Sequence, residues 1–179
     1  MDTRYTSTAI VLHWLVALLI FAAFPLGFYM HDLPLSPTKL HLYSYHKWLG
    51  VTVLFLLAIR LAWRGTHRPP ALPDSIPAWQ QAASHIVHWG LYVLMLAVPL
   101  SGWLMSSAKG FQTVWFGVLP LPDLVGKDKA LGEALSLVHT GLNYVLLALV
   151  VLHVAAAMKH RVIDRDDIVS RMLPKGGRS

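Results

Sequence analysis

The 179-residue chain has no cysteine. That excludes disulfides, thiolate zinc sites, cysteine-ligated iron–sulfur clusters and covalently attached c-type haem. Charge is also scarce. Only 13% of the residues are charged, against roughly 25% in a soluble domain. Such a chain needs an apolar solvent, and the 55% hydrophobic content points to a bilayer. No internal repeat, low-complexity segment or second domain is evident, so residues 1–179 read as a single domain. The net charge of +6 reads first as membrane topology, and no nucleic-acid partner is expected.

A bilayer core is crossed by ~20 apolar residues in helical form. Four stretches meet that length, at about 8–29, 43–63, 83–105 and 131–158. The predicted fold class is therefore all-α, an integral membrane four-helix bundle. Pro25 and Pro99 fall inside two of the spans, which a bundle tolerates when neighbours satisfy the freed carbonyl. The first span reads as a retained helix: it is longer than a signal-peptide core, carries His13 and Trp14, and has only Arg4 as its positive flank.

Lysine and arginine divide unevenly between the two ends of the bundle. Arg4, Arg60, Arg64, Arg68, Lys159, Arg161, Arg165, Arg171, Lys175 and Arg178 lie on one side, ten in all; Lys39, Lys47, Lys109, Lys127 and Lys129 make five on the other. The positive-inside rule then predicts both termini in the cytoplasm. The 31–42 and 106–130 connections face outward. The inward connection, 64–81, carries Pro69, Pro70, Pro73 and Pro77 and reads as a stiff extended crossing.

Ten histidines remain as ligands. His13, His46, His85, His88, His139 and His153 fall in or near the spans, where an ionisable group is expensive and needs a partner. One such residue is ordinarily a helix-to-helix hydrogen bond; six in a small bundle ask for more. His139 and His153 are 14 residues apart. On a helix they point about 40° apart and lie about 21 Å apart along the axis. One face of the fourth span thus presents imidazoles at two depths, the arrangement two stacked haems require. Depth selects their partners. His13 and His153 both lie toward the cytoplasmic side, and His46 and His139 toward the outer side. The expected axial pairs are His13/His153 and His46/His139. Bis-histidine ligation suits iron that passes electrons, since no position is left open.

The other candidates keep two readings each. Gly50, one turn after His46, admits a flat porphyrin or simply packs helices. His85 and His88 are alternative ligands, propionate partners or part of a quinone pocket. His160 is a propionate or quinone contact, or an interfacial histidine. His31, His41 and His67 lie in connections and read as solvated. Tyr5, Trp14, Tyr29, Tyr43, Tyr45, Trp48, Trp63, Trp103 and Trp115 cluster near span ends, as an aromatic belt does.

The segments R-Y-T-S-T-A-I-V-L-H-W (Arg4–Trp14), Y-H-K-W-L-G (Tyr45–Gly50), R-L-A-W-R (Arg60–Arg64), A-S-H-I-V-H-W-G-L-Y (Ala83–Tyr92) and V-P-L-S-G-W (Val98–Trp103), with the last-span histidine pair, carry a resemblance. The chain resembles the bacterial cytochrome b561 family over nearly its whole length, and within it the small stand-alone type described as superoxide oxidase. The resemblance implies two haem b groups on His13, His46, His139 and His153, in a bacterial cytoplasmic membrane. It also implies electron transfer from periplasmic superoxide through both haems to ubiquinone, with no obligate protein partner. A basic outer mouth would draw the superoxide anion in. Lys39, Lys47 and Lys109 fit that role, or are solvated lysines or propionate partners. Arg64, His88 and His160 are candidate quinone contacts on the inner side, and Lys109 on the outer. Two other functions stay open. One is an electron-transfer subunit linking quinone to a dehydrogenase or hydrogenase; the other is a histidine-based metal or proton transporter, disfavoured by four spans without carboxylates at their centres.

Overall fold

The computed structural model describes residues 4–73 and 76–174. Asp2, Lys175 and Arg178 lie outside the described residues. Four long helices dominate: α1 (Ser7–Asp32), α2 (Pro37–Thr66), α3 (Ala78–Ala108) and α4 (Lys129–Lys159). Each is long and apolar enough to cross a membrane. Their starts are set by short polar residues. The side chains of Thr6, Ser36 and Asp128 accept from the backbone N–H of Ala9, Lys39 and Leu131. These caps satisfy donors the first helical turn leaves free. Pro37 occupies the first helical position of α2, where its missing N–H costs nothing.

All four helices contain the predicted spans, and α2 begins six residues before its span. His31 and His41 therefore sit on helices, exposed, instead of in a connection. His67 caps α2 and stacks on Trp63, ring centroids 3.8 Å apart.

Helix α1 packs on α2, α2 on α3 and α3 on α4. One core cluster joins Val16, Leu57, Tyr92 and Met95 from the first three helices. A second joins Leu94 and Val98 of α3 to Leu146 of α4. Glycines set the close approaches. A Cβ at Gly90 would lie 2.9 Å from Leu149 Cδ1, and one at Gly50 would lie 3.7 Å from Pro99 Cβ. Gly50 thus packs against the Pro99 side chain of α3, the helix-packing reading. Large side chains on the outer surfaces face what would be lipid: Ile86 is 72% exposed and Leu137 77%.

Helix α4 has no backbone packing on α1 or α2 comparable to its packing on α3, among the described residues. A slot therefore runs between α4 and the first two helices. Between α3 and α4 a two-residue hairpin forms, β1 (Val114–Trp115) antiparallel to β2 (Leu119–Pro120). It is tied to α2 by Trp48 Nε1 donating to Val114 O (2.7 Å) and Trp115 Nε1 donating to Thr52 Oγ1 (3.2 Å). At the other end α4 runs into a π-helical turn (His160–Asp164), and Arg165, in the left-handed region at φ 54°, turns the chain back. The last described segment then crosses the N-terminus. Arg4 donates to Leu173 O, Trp14 Nε1 to Met172 O, and Arg171 to Ala71 O of the proline-rich crossing.

Candidate electron-transfer site

The slot is bridged at two levels by imidazoles. His46 of α2 and His139 of α4 face each other with ring centroids 6.4 Å apart and planes at 89°. His13 of α1 and His153 of α4 do so at 6.2 Å and 71°. Two imidazoles bound to opposite sides of one metal, each nitrogen about 2 Å from it, have centroids about 6 Å apart. Both separations fit that geometry. His88 of α3 approaches His153 more closely, at 5.2 Å, which is ring-to-ring contact. The four residues paired by depth are thus brought together as pairs, with His88 as a third imidazole at the inner level. His85 is exposed and makes no contact with them.

Two glycines seat the outer rings. A Cβ at Gly102 would lie 2.9 Å from His139 Cε1, and one at Gly27 would lie 3.2 Å from His46 Cε1. Each glycine follows an in-span proline closely, Pro25 before Gly27 and Pro99 before Gly102. Sequence reasoning missed both. Their signal was a glycine at the depth of an outer histidine. His139 is also oriented. Its Nδ1–H donates to Val98 O (3.0 Å) and lies 3.0 Å from Ser101 Oγ, which itself donates to Val98 O. That bond fixes the tautomer and leaves Nε2 with its lone pair, the form a metal ligand needs. His46 Nδ1 is buried without a hydrogen-bond partner. A buried polar nitrogen of that kind asks for a function. Slot, spacing and donor set together fit b-type haem held between paired histidines.

The inner level differs. Arg60 Nη1 lies 3.1 Å from His13 Nδ1. Arg60 and Arg64 both stand over the Tyr92 ring, 5.4 and 5.7 Å from its centroid. Ser84 Oγ is 3.2 Å from His88 Nδ1. Burial pushes the phenol of Tyr5, just before α1, above its usual range, and the Arg64 guanidinium pulls against it. His160 lies beyond this cluster, its Nδ1–H donating to Asp166 (2.6 Å), with Asp164 3.4 Å away and shared with Lys159.

The outer lysines separate into two kinds. Lys39 donates to the carbonyls of His31 and Leu33, closing the end of α1. Lys47 donates to Phe111 O and holds the loop before β1. Lys109 is exposed at the end of α3, and its side-chain stem lies against Gly132 of α4.

The family profile described as prokaryotic cytochrome b561 matches residues 4–175. Among curated proteins, cytochrome b561 homolog 2 of Escherichia coli (strain K12) is 32% identical over 96% of this chain and 92% of its own length. Cytochrome b561 homolog 1 of the same organism is 30% identical, over 96% and 98%. A probable superoxide oxidase CybB of Yersinia pestis is 27% identical over 98% of each chain.

Proposed function

The chain belongs to the prokaryotic cytochrome b561 family, a bacterial membrane electron-transfer protein that binds b-type haem, and from that premise we propose that it is a superoxide:ubiquinone oxidoreductase. The whole chain acts as one four-span unit with two haems, on His46/His139 near the outer face and His13/His153 near the inner. The observation that carries this reading is the pair of imidazole bridges, 6.4 and 6.2 Å between centroids, at two levels of one slot. The similarity to a probable superoxide oxidase supplies the substrate class.

When bound, each haem would supply a one-electron carrier, held by His46 and His139 at the outer level and by His13 and His153 at the inner. The protein's part is to hold, steer and insulate. His46 and His139, on glycine seats, keep the outer level rigid, and the Val98 carbonyl holds His139 in the ligating tautomer. Lys109, exposed at the end of α3 with its stem against Gly132 of α4, concentrates an anion at the outer mouth. Lys39 and Lys47 add their charge to the same rim while bonded to carbonyls. Superoxide needs only to reach that rim, because outer-sphere transfer requires no open iron. Two superoxide ions yield two dioxygen molecules and two electrons; one ubiquinone takes those electrons with two protons to become ubiquinol.

Arg64 and His88, at the inner mouth beside His153, are the donors we assign to the ubiquinone carbonyls. His160, engaged by Asp166, stands behind them. The protein sits in the cytoplasmic membrane with both termini inside and works without an obligate protein partner. The test is optical. The purified, haem-loaded protein should be reduced by superoxide from an enzymatic generator and reoxidised on adding a short-chain ubiquinone. A haem-loaded preparation that superoxide leaves oxidised would falsify the oxidase reading and leave the cytochrome intact.

A further inference from the structure

The hydrogen bond of Arg60 conflicts with haem ligation by its partner, His13. A guanidinium only donates. At 3.1 Å, Arg60 Nη1 therefore requires His13 Nδ1 to accept. A neutral imidazole that accepts at Nδ1 carries its proton at Nε2, the nitrogen that would otherwise bind iron. The outer level shows the opposite arrangement, since His139 donates from Nδ1 to Val98 O. Arg60 on His13 and iron on His13 Nε2 thus exclude one another, and Arg60 needs a second partner when the inner site fills.

Nothing among the described residues provides that partner. Neither Arg60 nor Arg64 forms an ion pair with a carboxylate among the described residues. They stand one turn apart on α2, like charges on one face, with the Tyr92 ring beneath both. An arginine within a span and without a counter-ion is costly. A carboxylate presented to its planar fork would relieve both the charge and the conflict. We propose that Arg60 is the propionate-binding arm of the inner haem site, its guanidinium engaging a haem propionate in place of His13 Nδ1. This rests on the di-haem reading above, specifically on His13 and His153 as the inner pair.

The experiment compares Arg60→Met and Arg60→Lys with the unaltered protein, each haem-loaded in detergent, and His153→Ala as the marker that identifies the inner haem. Haem content and spectroelectrochemical titration are the readouts. Arg60→Met removes a cation that favours the reduced form. The inner midpoint should fall by about one tenfold step in its equilibrium constant, 59 mV for one electron, with the outer midpoint unmoved. Arg60→Lys should recover most of the shift. If Arg60→Met loses the inner haem altogether, the retained outer haem reports a folded bundle, and recovery of loading by Arg60→Lys supports the assignment. An unmoved inner midpoint, or equal shifts at both, overturns it.

A second arm uses haem dimethyl ester, in which both propionates are blocked. The unaltered chain should load the inner site with this ester at least tenfold more weakly than with haem b, and Arg60→Met should treat the two alike. Equal loading of the unaltered chain would overturn the propionate assignment in favour of a lipid phosphate. Failure of superoxide to reduce the protein touches neither arm. Retention of both haems by His153→Ala removes the premise and is seen first, in the haem count.

Discussion

At the scale of single residues, the outer level is a problem of space. The ring of His139 lies where any side chain at position 102 would have to be, with Cε1, Nδ1 and Nε2 at 2.9, 3.3 and 3.6 Å from a Cβ built on Gly102. Ordinary contact begins near 3.4 Å, so even alanine must push the ring, and the ring is held from the other side by Val98 O and Ser101. Gly102→Ala should therefore lose outer haem, with the haem-to-protein ratio moving from two toward one. Gly141→Ala is the control, since a Cβ there meets nothing within 4 Å. A pyridine haemochrome assay on both variants checks this, and full haem content in Gly102→Ala would remove the seat from the account. Not every residue of the site was legible in sequence. The meeting of four histidines in pairs was, because an imidazole in an apolar run is conspicuous and a 14-residue spacing puts two of them on one helix face. Gly102, Gly27 and Arg60 were not. A glycine in a span packs helices as readily as it seats a ring, and Arg60 counts along the chain only as a topology charge. Their roles exist only across helices.

At the scale of elements, long apolar runs announce themselves, and all four helices enclose the spans that hydropathy marks. Their true ends extend into polar flanks, because Thr6, Ser36 and Asp128 start them by capping, a local bond to which hydropathy is blind. The outer hairpin was invisible for a different reason. Its strands are two residues long, too short for alternation to register. A two-stranded hairpin of that size is not stable alone. Its stability comes from α2, through Trp48 and Trp115. Phe116, in the left-handed region at φ 50°, is held against Trp48 at 5.3 Å between centroids. Trp48→Ala removes both the 2.7 Å bond to Val114 O and that ring contact. Amide hydrogen exchange across 111–121 should then accelerate at least tenfold while haem content stays unchanged. Unaltered protection would mean that Trp115 and Lys47 suffice to hold the hairpin.

At the scale of the whole molecule, the two ends of the bundle differ in charge and in construction. One end gathers Arg4, Arg60, Arg64 and Arg171 with the N-terminus, the proline-rich crossing and the last described segment, hydrogen-bonded into one cap. The other carries lysines, Lys47 bonded to the loop before the hairpin and Lys109, Lys127 and Lys129 around the start of α4. The proposed topology, resting on the positive-inside rule, has the arginine-rich end in the cytoplasm and His46/His139 and Lys109 toward the periplasm. Absence of cysteine makes this directly measurable, because a single introduced thiol has no background. Gly65, at the end of α2, and Gly126, before α4, both have open space around a built Cβ, so a small side chain fits each without strain. In intact spheroplasts a membrane-impermeant maleimide should label Gly126→Cys and leave Gly65→Cys unlabelled until the membrane is opened. The reverse pattern would turn the bundle over. Lys109 would then face the cytoplasm, and a periplasmic anion would meet the Arg60/Arg64 cap, which would rule out steering by Lys109 toward His46/His139.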